Sequence, residues 1–498
     1  MSDEEFNAYS KESLLGKANI SDTNLKRIKV AHANILRQLP TQLDQSTYVK
    51  GSKGIVMLGG GFYSWLSFLS IMHLRDNGSK LPIELVLASW SDYDKEYHFC
   101  HQVLPKYNAK CILMPQVLGH HVISQIGIGS YQLKSIAIAV SSFEHVLMLD
   151  SDNVALVNPD TIFDSKVYKD HGLVLWPDYW QRSMSPLYYE IAQIPVNEQV
   201  RVRWGRFPLV KPILVEEDGT TINKEKKKQK LNFHEYAGSI PDLSSESGQL
   251  LINKGTHAKT LLLSLYYNLY GPDIYYRLFS LGELGEGDKD TFITAAFATQ
   301  AKYYQVLSHI RTQGFSDENG YHGMAMGQKD PVVDYEVVTK QYAKIERELN
   351  RNKSADQFEL IDKMQAEYFG GVSEIPLFTL HCNIAKVNPE EYTRNDAVSD
   401  LEENRIKARI YSNFKYKIVE RDQDREIDFE LKRWTIIQQA ICIDNLEFYL
   451  FDEKDKKKTC DYINNTVRWL ISTSDMVDGK SLTSLDRKKP HQPVYNYK

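Results

Sequence analysis

Two aspartates, Asp150 and Asp152, stand either side of Ser151 where an apolar run, Val146 to Leu149, ends in "HVLMLDSDNVALVNPD". In an extended chain, side chains two apart point to the same side. The pair is therefore expected to converge at the end of a strand. Converging carboxylates repel each other unless a proton or a cation sits between them. Hard oxygen ligands suit Mg²⁺ or Mn²⁺, ions that commonly bridge to a phosphate-bearing substrate. The plainer alternative is a turn, since Asp, Ser and Asn all favour one. An EF-hand loop is a poor rival, because Val154 and Ala155 stand where that loop needs an oxygen ligand and a glycine.

Other residues could serve the same chemistry. Lys134, sixteen positions upstream in "QLKSIAIAVSSFEHVLMLDSD", sits on the preceding helix and can reach a diphosphate held on such a metal; otherwise it is a surface lysine. His381 ends the apolar run "LFTLH" and can supply an imidazole as third protein ligand, a set that suits Mn²⁺ better than Mg²⁺. Asp288 and Asp290 lie in "GEGDKDTF"; one fits as a helix cap, and the other could face a reacting carbon or bind sugar hydroxyls. Glu246 and Gln249, in "ESGQ", can hydrogen-bond a sugar. Trp176, Asp178, Tyr179 and Trp180, in "WPDYW", can form a sugar platform, or equally a corner of the core. Gly59, Gly60 and Gly61 make a tight turn at the end of a strand and lack the G-x-G-x-x-G spacing of a dinucleotide site.

These positions need elements to hold them. From Lys53 onward strands alternate with helices: "GIVMLG", "IELVLAS", "KCILMP", "HVLMLDS" and "LVLWPD" read as strands with helical stretches between. The alternation predicts an α/β fold, a largely parallel sheet with helices on both faces, whose ligands bind at the carboxyl ends of the strands. Gly59–Gly61 and Asp150/Asp152 fall at such ends. Residues 1–50 read as a helical stem or cap, 51–395 as the catalytic domain, and 396–498 as a mixed extension with a basic, disordered tail. The lysine-rich stretch 216–230 reads as a solvated loop. With 498 residues, 42% hydrophobic and 25% charged, the chain has the make-up of a globular protein. Its net charge of −5 gives no reason to expect nucleic acid as a partner. The uncharged run Ile55–Leu74 is interrupted by three glycines, three serines and His73, so it reads as strand, turn and amphipathic helix and not as a membrane span. The N-terminus carries no signal peptide, which by itself points to the cytosol. Four glycosylation sequons, at Asn19, Asn77, Asn352 and Asn464, point instead to a secretory lumen. Of five cysteines, Cys100/Cys111 and Cys442/Cys460 are spaced closely enough to pair in an oxidising compartment, leaving Cys382; five reduced thiols are the alternative.

Taken together, "GIVMLGGGFYSWLSFLSIMHLR", "QLKSIAIAVSSFEHVLMLDSDNVALVNPDTIFDS", "GLVLWPDYWQR", "SESGQLLINK", "GEGDKDTFITAA" and "LHCN" resemble the fungal Golgi α-mannosyltransferases, in order across about residues 50–390. The likeness is strongest to the α-1,2 branch, which builds the outer-chain mannan of N-glycans. It implies a GT-A fold, GDP-mannose as donor, a mannan or mannooligosaccharide acceptor, Mn²⁺ (or Mg²⁺) and retention of the anomeric configuration. It places Asp150, Asp152 and His381 at the metal. Gly59–Gly61, Lys134 and Ser151 fall with the donor, and Asp288, Asp290 and Glu246 at the reacting carbon. Trp176, Asp178, Tyr179, Trp180 and Gln249 fall with the acceptor. The family is anchored in the Golgi by one membrane helix, which is absent here, so the chain reads as its luminal part or as an atypical member. The alternatives left open are α-1,3-mannosyl transfer, N-acetylglucosaminyl transfer, and a glycan-binding relative without catalysis.

Overall fold

The computed structural model describes residues 8–125, 129–216, 220–222, 228–371, 373, 375–420, 423–451 and 455–474. At its centre lies a seven-stranded sheet in the order β13-β6-β12-β4-β1-β2-β3. The strands are β1 (Val49–Leu58), β2 (Ile83–Leu87), β3 (Ala109–Leu113), β4 (Phe143–Leu149), β6 (Leu173–Pro177), β12 (Ser245–Asn253) and β13 (Tyr304–Gln305). β1, β2, β3 and β4 run parallel, and so do β6 and β13. β12 runs antiparallel to both its neighbours, β4 and β6, so the sheet is mostly, not wholly, parallel. β12 thereby delivers residues 245–248 to the edge where β4 delivers Asp150.

The alternation of side chains along the strands sorts them onto two faces. Ile55, Met57, Leu147 and Leu149 point into one core, and Val56, Val146 and Met148 into the other. Helices Leu133–Val140, Ala258–Leu269 and Thr291–Ala298 cover the second face. The N-terminal helix Asp22–Gln38 docks beside them through Leu25, Ile28 and Ile35. Its buried His32 shares a 2.7 Å hydrogen bond with the hydroxyl of Tyr267, and burial lowers its pKa to about 4.

The first face is covered by helix Phe62–Asp76, which is not amphipathic as expected: every residue from Ser64 to Leu74 is buried. The reason lies downstream. Trp434, Ile437, Tyr462 and Leu470, from helices Phe429–Gln438 and Lys456–Thr473, pack on the far side of that helix and join the same core. Among the described residues, no helix is long and apolar enough to cross a membrane.

A second, antiparallel sheet has the order β14-β15-β16-β5, built from β14 (Arg311–Asp317), β15 (Gly320–Lys329), β16 (Leu377–His381) and β5 (Asn153–Ala155). It pins His381 opposite Asn153. A three-stranded sheet joins β7 (Asn197–Trp204), β8 (Phe207–Leu214) and β11 (Tyr236–Ala237). Within the stretch read as a loop, β9 (Thr220–Ile222) pairs with β10 (Lys228–Lys230). The C-terminal tail from 475 lies outside the described residues. Both expected disulfides are formed, Cys100–Cys111 and Cys442–Cys460, and Cys382 is free and buried.

Candidate active site

β4 stops at Leu149, and the chain turns at once: the Asn153 amide donates to the Asp150 carbonyl at 3.0 Å. The two aspartates converge across this turn, not along an extended strand. Two further backbone bonds fix it, Asp150 N–H to Gly248 O (2.8 Å) and Cys382 N–H to Asp152 O (2.9 Å). Ser151 is buried, and its carbonyl accepts from Ser70 at 3.1 Å. Donor atoms of Asp150, Asp152 and His381 lie within 4.8 Å of one another. Two carboxylates and an imidazole at that spacing fit a divalent cation such as Mn²⁺.

The surroundings keep these charges together. Lys134 is buried, and its ammonium lies 3.0 Å from Asp150 and 3.2 Å from Asp288; it also donates to the carbonyl and hydroxyl of Ser247, at 2.6 and 2.9 Å. Burial alone would favour losing its proton, but Asp150 and Asp288 outweigh this and raise its pKa. Lys134 thus directs its ammonium at Asp150, Asp288 and Ser247. On the other flank Lys386 lies 3.0 Å from Asp152 and 5.6 Å from the ring centre of Tyr63. Burial works against a charged Asp152, yet His381 and Lys386 hold its carboxyl below the usual range. Burial pushes Asp150 upward, with Lys134 pulling against it.

His381 donates through Nε2 to Asp152 (3.2 Å) and through Nδ1 to Glu246. Burial disfavours its charge, but these two carboxylates prevail and raise its pKa well above 6.5. Glu246 is positioned in turn by donors from Gln249 (3.0 Å) and Gln328. A ligating histidine held by a carboxylate on its other nitrogen has its ring orientation set before any metal arrives. Glycine at 248 is what permits the contact: a Cβ there would lie 2.4 Å from Glu246 Oε1 and 2.5 Å from His381 Nδ1.

The remaining candidates divide. Asp288 joins the cluster through Lys134 and accepts from the Ser247 hydroxyl at 3.0 Å. Asp290 does not: it is buried against Arg182 at 2.7 Å, with Ser245 N–H at 2.8 Å, and its side chain caps no helix. Gln249 is fully buried and bonded to Asn153, Thr379 and Glu246, leaving no face for a sugar. Trp176 is also fully buried, stacked on Phe378 with its N–H on the carbonyl of Lys329, so the corner-of-the-core reading holds for it. Asp178 pairs with Lys289 at 3.0 Å, and Tyr179 bonds the hydroxyl of Thr312 at 2.8 Å. Trp180 alone of the four leaves its ring substantially open, 42% exposed. Gly60 and Gly61 adopt φ of +108° and +60°, and the Gly61 amide donates to Glu96 at 2.6 Å. Lys386, Gly248 and Gln328 were missed; only Lys386, five residues after His381, left a readable sign.

A family profile described as "Mannosyltransferase putative" matches residues 52–330. The chain belongs to this mannosyltransferase family. Over 483 residues it is 45% identical to the alpha-1,2-mannosyltransferase MNN23 of Candida albicans, covering 94% of this chain and 78% of the relative. It is 34% identical over 472 residues to the alpha-1,2-mannosyltransferase MNN2 of Saccharomyces cerevisiae, covering 92% and 76%. Among solved structures the galactosyltransferase LgtC aligns over 51% of this chain and 73% of its own, with 12% identity and a TM-score of 0.28, a likeness too loose to argue from. Within this family member, Asp150, Asp152 and His381 form a group compatible with a divalent cation, flanked by Lys134 and Lys386.

Proposed function

We propose that this chain transfers mannose from GDP-mannose to a mannose hydroxyl of N-glycan outer-chain mannan, forming an α-1,2 linkage with retention, on a GT-A fold in the Golgi lumen. What carries the reading is the convergence of Asp150, Asp152 and His381 in a chain of the mannosyltransferase family. The relatives' shared description supports the linkage, and the two disulfides support an oxidising lumen. Asp150, Asp152 and His381 would hold Mn²⁺, which supplies Lewis-acid neutralisation of the leaving diphosphate. Glu246 holds the His381 ring, and Lys134 keeps Asp150 and Asp288 at close range. Lys386, a quarter exposed and 3.0 Å from Asp152, adds a second cation on the open flank of the cluster, where the diphosphate would lie. Asp288, beside Asp150, is the carboxylate nearest the reacting carbon in this reading, while Asp290 is a structural anchor.

The test is incubation with GDP-mannose, Mn²⁺ and α-mannobiose, followed by linkage analysis of the product. A trisaccharide with a new α-1,2 bond, lost in Asp152→Asn, is expected. An α-1,3 product overturns the linkage, and transfer that persists in Asp152→Asn overturns the site.

A further inference from the structure

Beside the glycine turn lies a cavity of about 270 Å³. One wall comes from the turn and the segment after β2: Gly61, Glu96 and Phe99. The opposite wall comes from the C-terminal region: Phe448, Tyr449 and Phe451. Phe448 and Phe451 are anchored edge-on to Trp65, with ring centres 5.0 Å away in each case. Tyr449 between them is 47% exposed, and its ring is met by the ammonium of Lys95 at 5.8 Å. Both walls are clipped covalently, one by Cys100–Cys111 next to Phe99, the other by Cys442–Cys460 around the aromatic trio.

The cavity is tied to the metal cluster by short steps. Lys386 bridges from Asp152 to Tyr63, and Tyr63 is two residues from Gly61. Gly61 in turn lies under the Tyr449 hydroxyl: a Cβ at 61 would be 2.6 Å from that oxygen, at a φ of +60° that disfavours side chains. Resting on the reading that the donor is a nucleoside diphosphate sugar, we propose that its nucleobase enters this cavity and stacks on Tyr449. The C-terminal segment, which lies beyond residues 52–330, then completes the donor site. A flat, partly exposed ring with a lysine ammonium over it is a surface on which a base stacks irrespective of its hydrogen-bonding edge.

Calorimetry on the full chain with Mn²⁺ tests this, using GDP and inorganic pyrophosphate as separate probes. Tyr449→Ala is expected to weaken GDP about tenfold or more, on the usual worth of one base–aromatic contact, and to leave pyrophosphate unchanged. Tyr449→Phe should keep most of the affinity, because the ring and not the hydroxyl does the stacking. A loss of GDP affinity below about twofold, or a parallel loss of pyrophosphate, overturns the inference while leaving the metal site standing. Wild-type protein that binds neither probe overturns the proposed function as well.

Discussion

His381 sits between two carboxylates, and this sets the direction of its pH behaviour. Its proton is held well above the ordinary 6.5 by Asp152 and Glu246, and a ligand nitrogen must give that proton up. Metal therefore competes with a proton, and the Mn²⁺ needed for half-maximal activity should keep falling as pH rises past 6.5. His381→Ala should flatten that dependence and raise the metal requirement without a matching loss of thermal stability. A pH-independent requirement in the wild type would show that His381 does not ligate. Asp290 should behave oppositely. Its removal leaves Arg182 buried without a counter-charge, a loss on the order of 3–5 kcal/mol, so Asp290→Ala should melt far below wild type. Near-normal melting with lost transfer would return Asp290 to the catalytic set. The carboxylate pair and the histidine were legible because their chemistry needs few residue types at recognisable places. The choice between core corner and sugar platform at Trp176, and the burial of Gln249, were not legible, because burial is a product of the whole fold and is not written in motifs of four or five residues.

At the scale of elements, the strands of the first half were readable from their apolar runs and glycine turns. The direction of β12 was not. Its sequence, "SESGQLLIN", looks alike whether it runs with or against its neighbours, yet only the antiparallel course brings Glu246 to His381. Gly248 records the same constraint. Gly248→Ala should disorder the His381–Glu246 contact and raise the metal requirement with little effect on overall folding, measured by Mn²⁺ titration beside a thermal melt. Unchanged titration would mean the loop yields freely. Helix Phe62–Asp76 was placed correctly but assigned one wet face, because the partners covering it lie more than 350 residues away.

Across the whole molecule, the C-terminal region shares the first core, so it acts on stability as well as on the cleft. Each disulfide closes a short loop, of sequence separation 11 and 18, worth about 3 kcal/mol in loop entropy. Reduction should lower the melting temperature, and Cys442→Ser with Cys460→Ser should reproduce part of the drop. Glu430, buried beside Arg409 and Asp428, has its pKa pushed by burial from 4.5 to about 8. Its folded value lies above its unfolded one, so the stabilisation is complete below about 4.5 and is lost as pH climbs through about 8. Glu430→Gln should therefore match wild type near the acid end of that window and melt progressively higher than it toward the alkaline end. Parallel curves would show that Glu430 does not titrate there.

The four carboxylates of the cluster, Asp150, Asp152, Asp288 and Glu246, already face three cations: Lys134, Lys386 and the His381 imidazolium. The cleft therefore has its own provisional counterions, so on the proposed function the chain should reach its native shape before any divalent ion binds. Biosynthesis can then proceed in two stages, with assembly and quality control first and loading later, wherever the ion is available. If the proposed ion is scarce, mature but idle protein should accumulate instead of being degraded. A chelator should accordingly silence purified enzyme within the mixing time while moving its melting temperature by no more than about 2 °C, roughly 2 kcal/mol for a protein of this size, and added ion should restore activity with no refolding lag. A large drop in melting temperature on chelation would show instead that the metal is part of the fold.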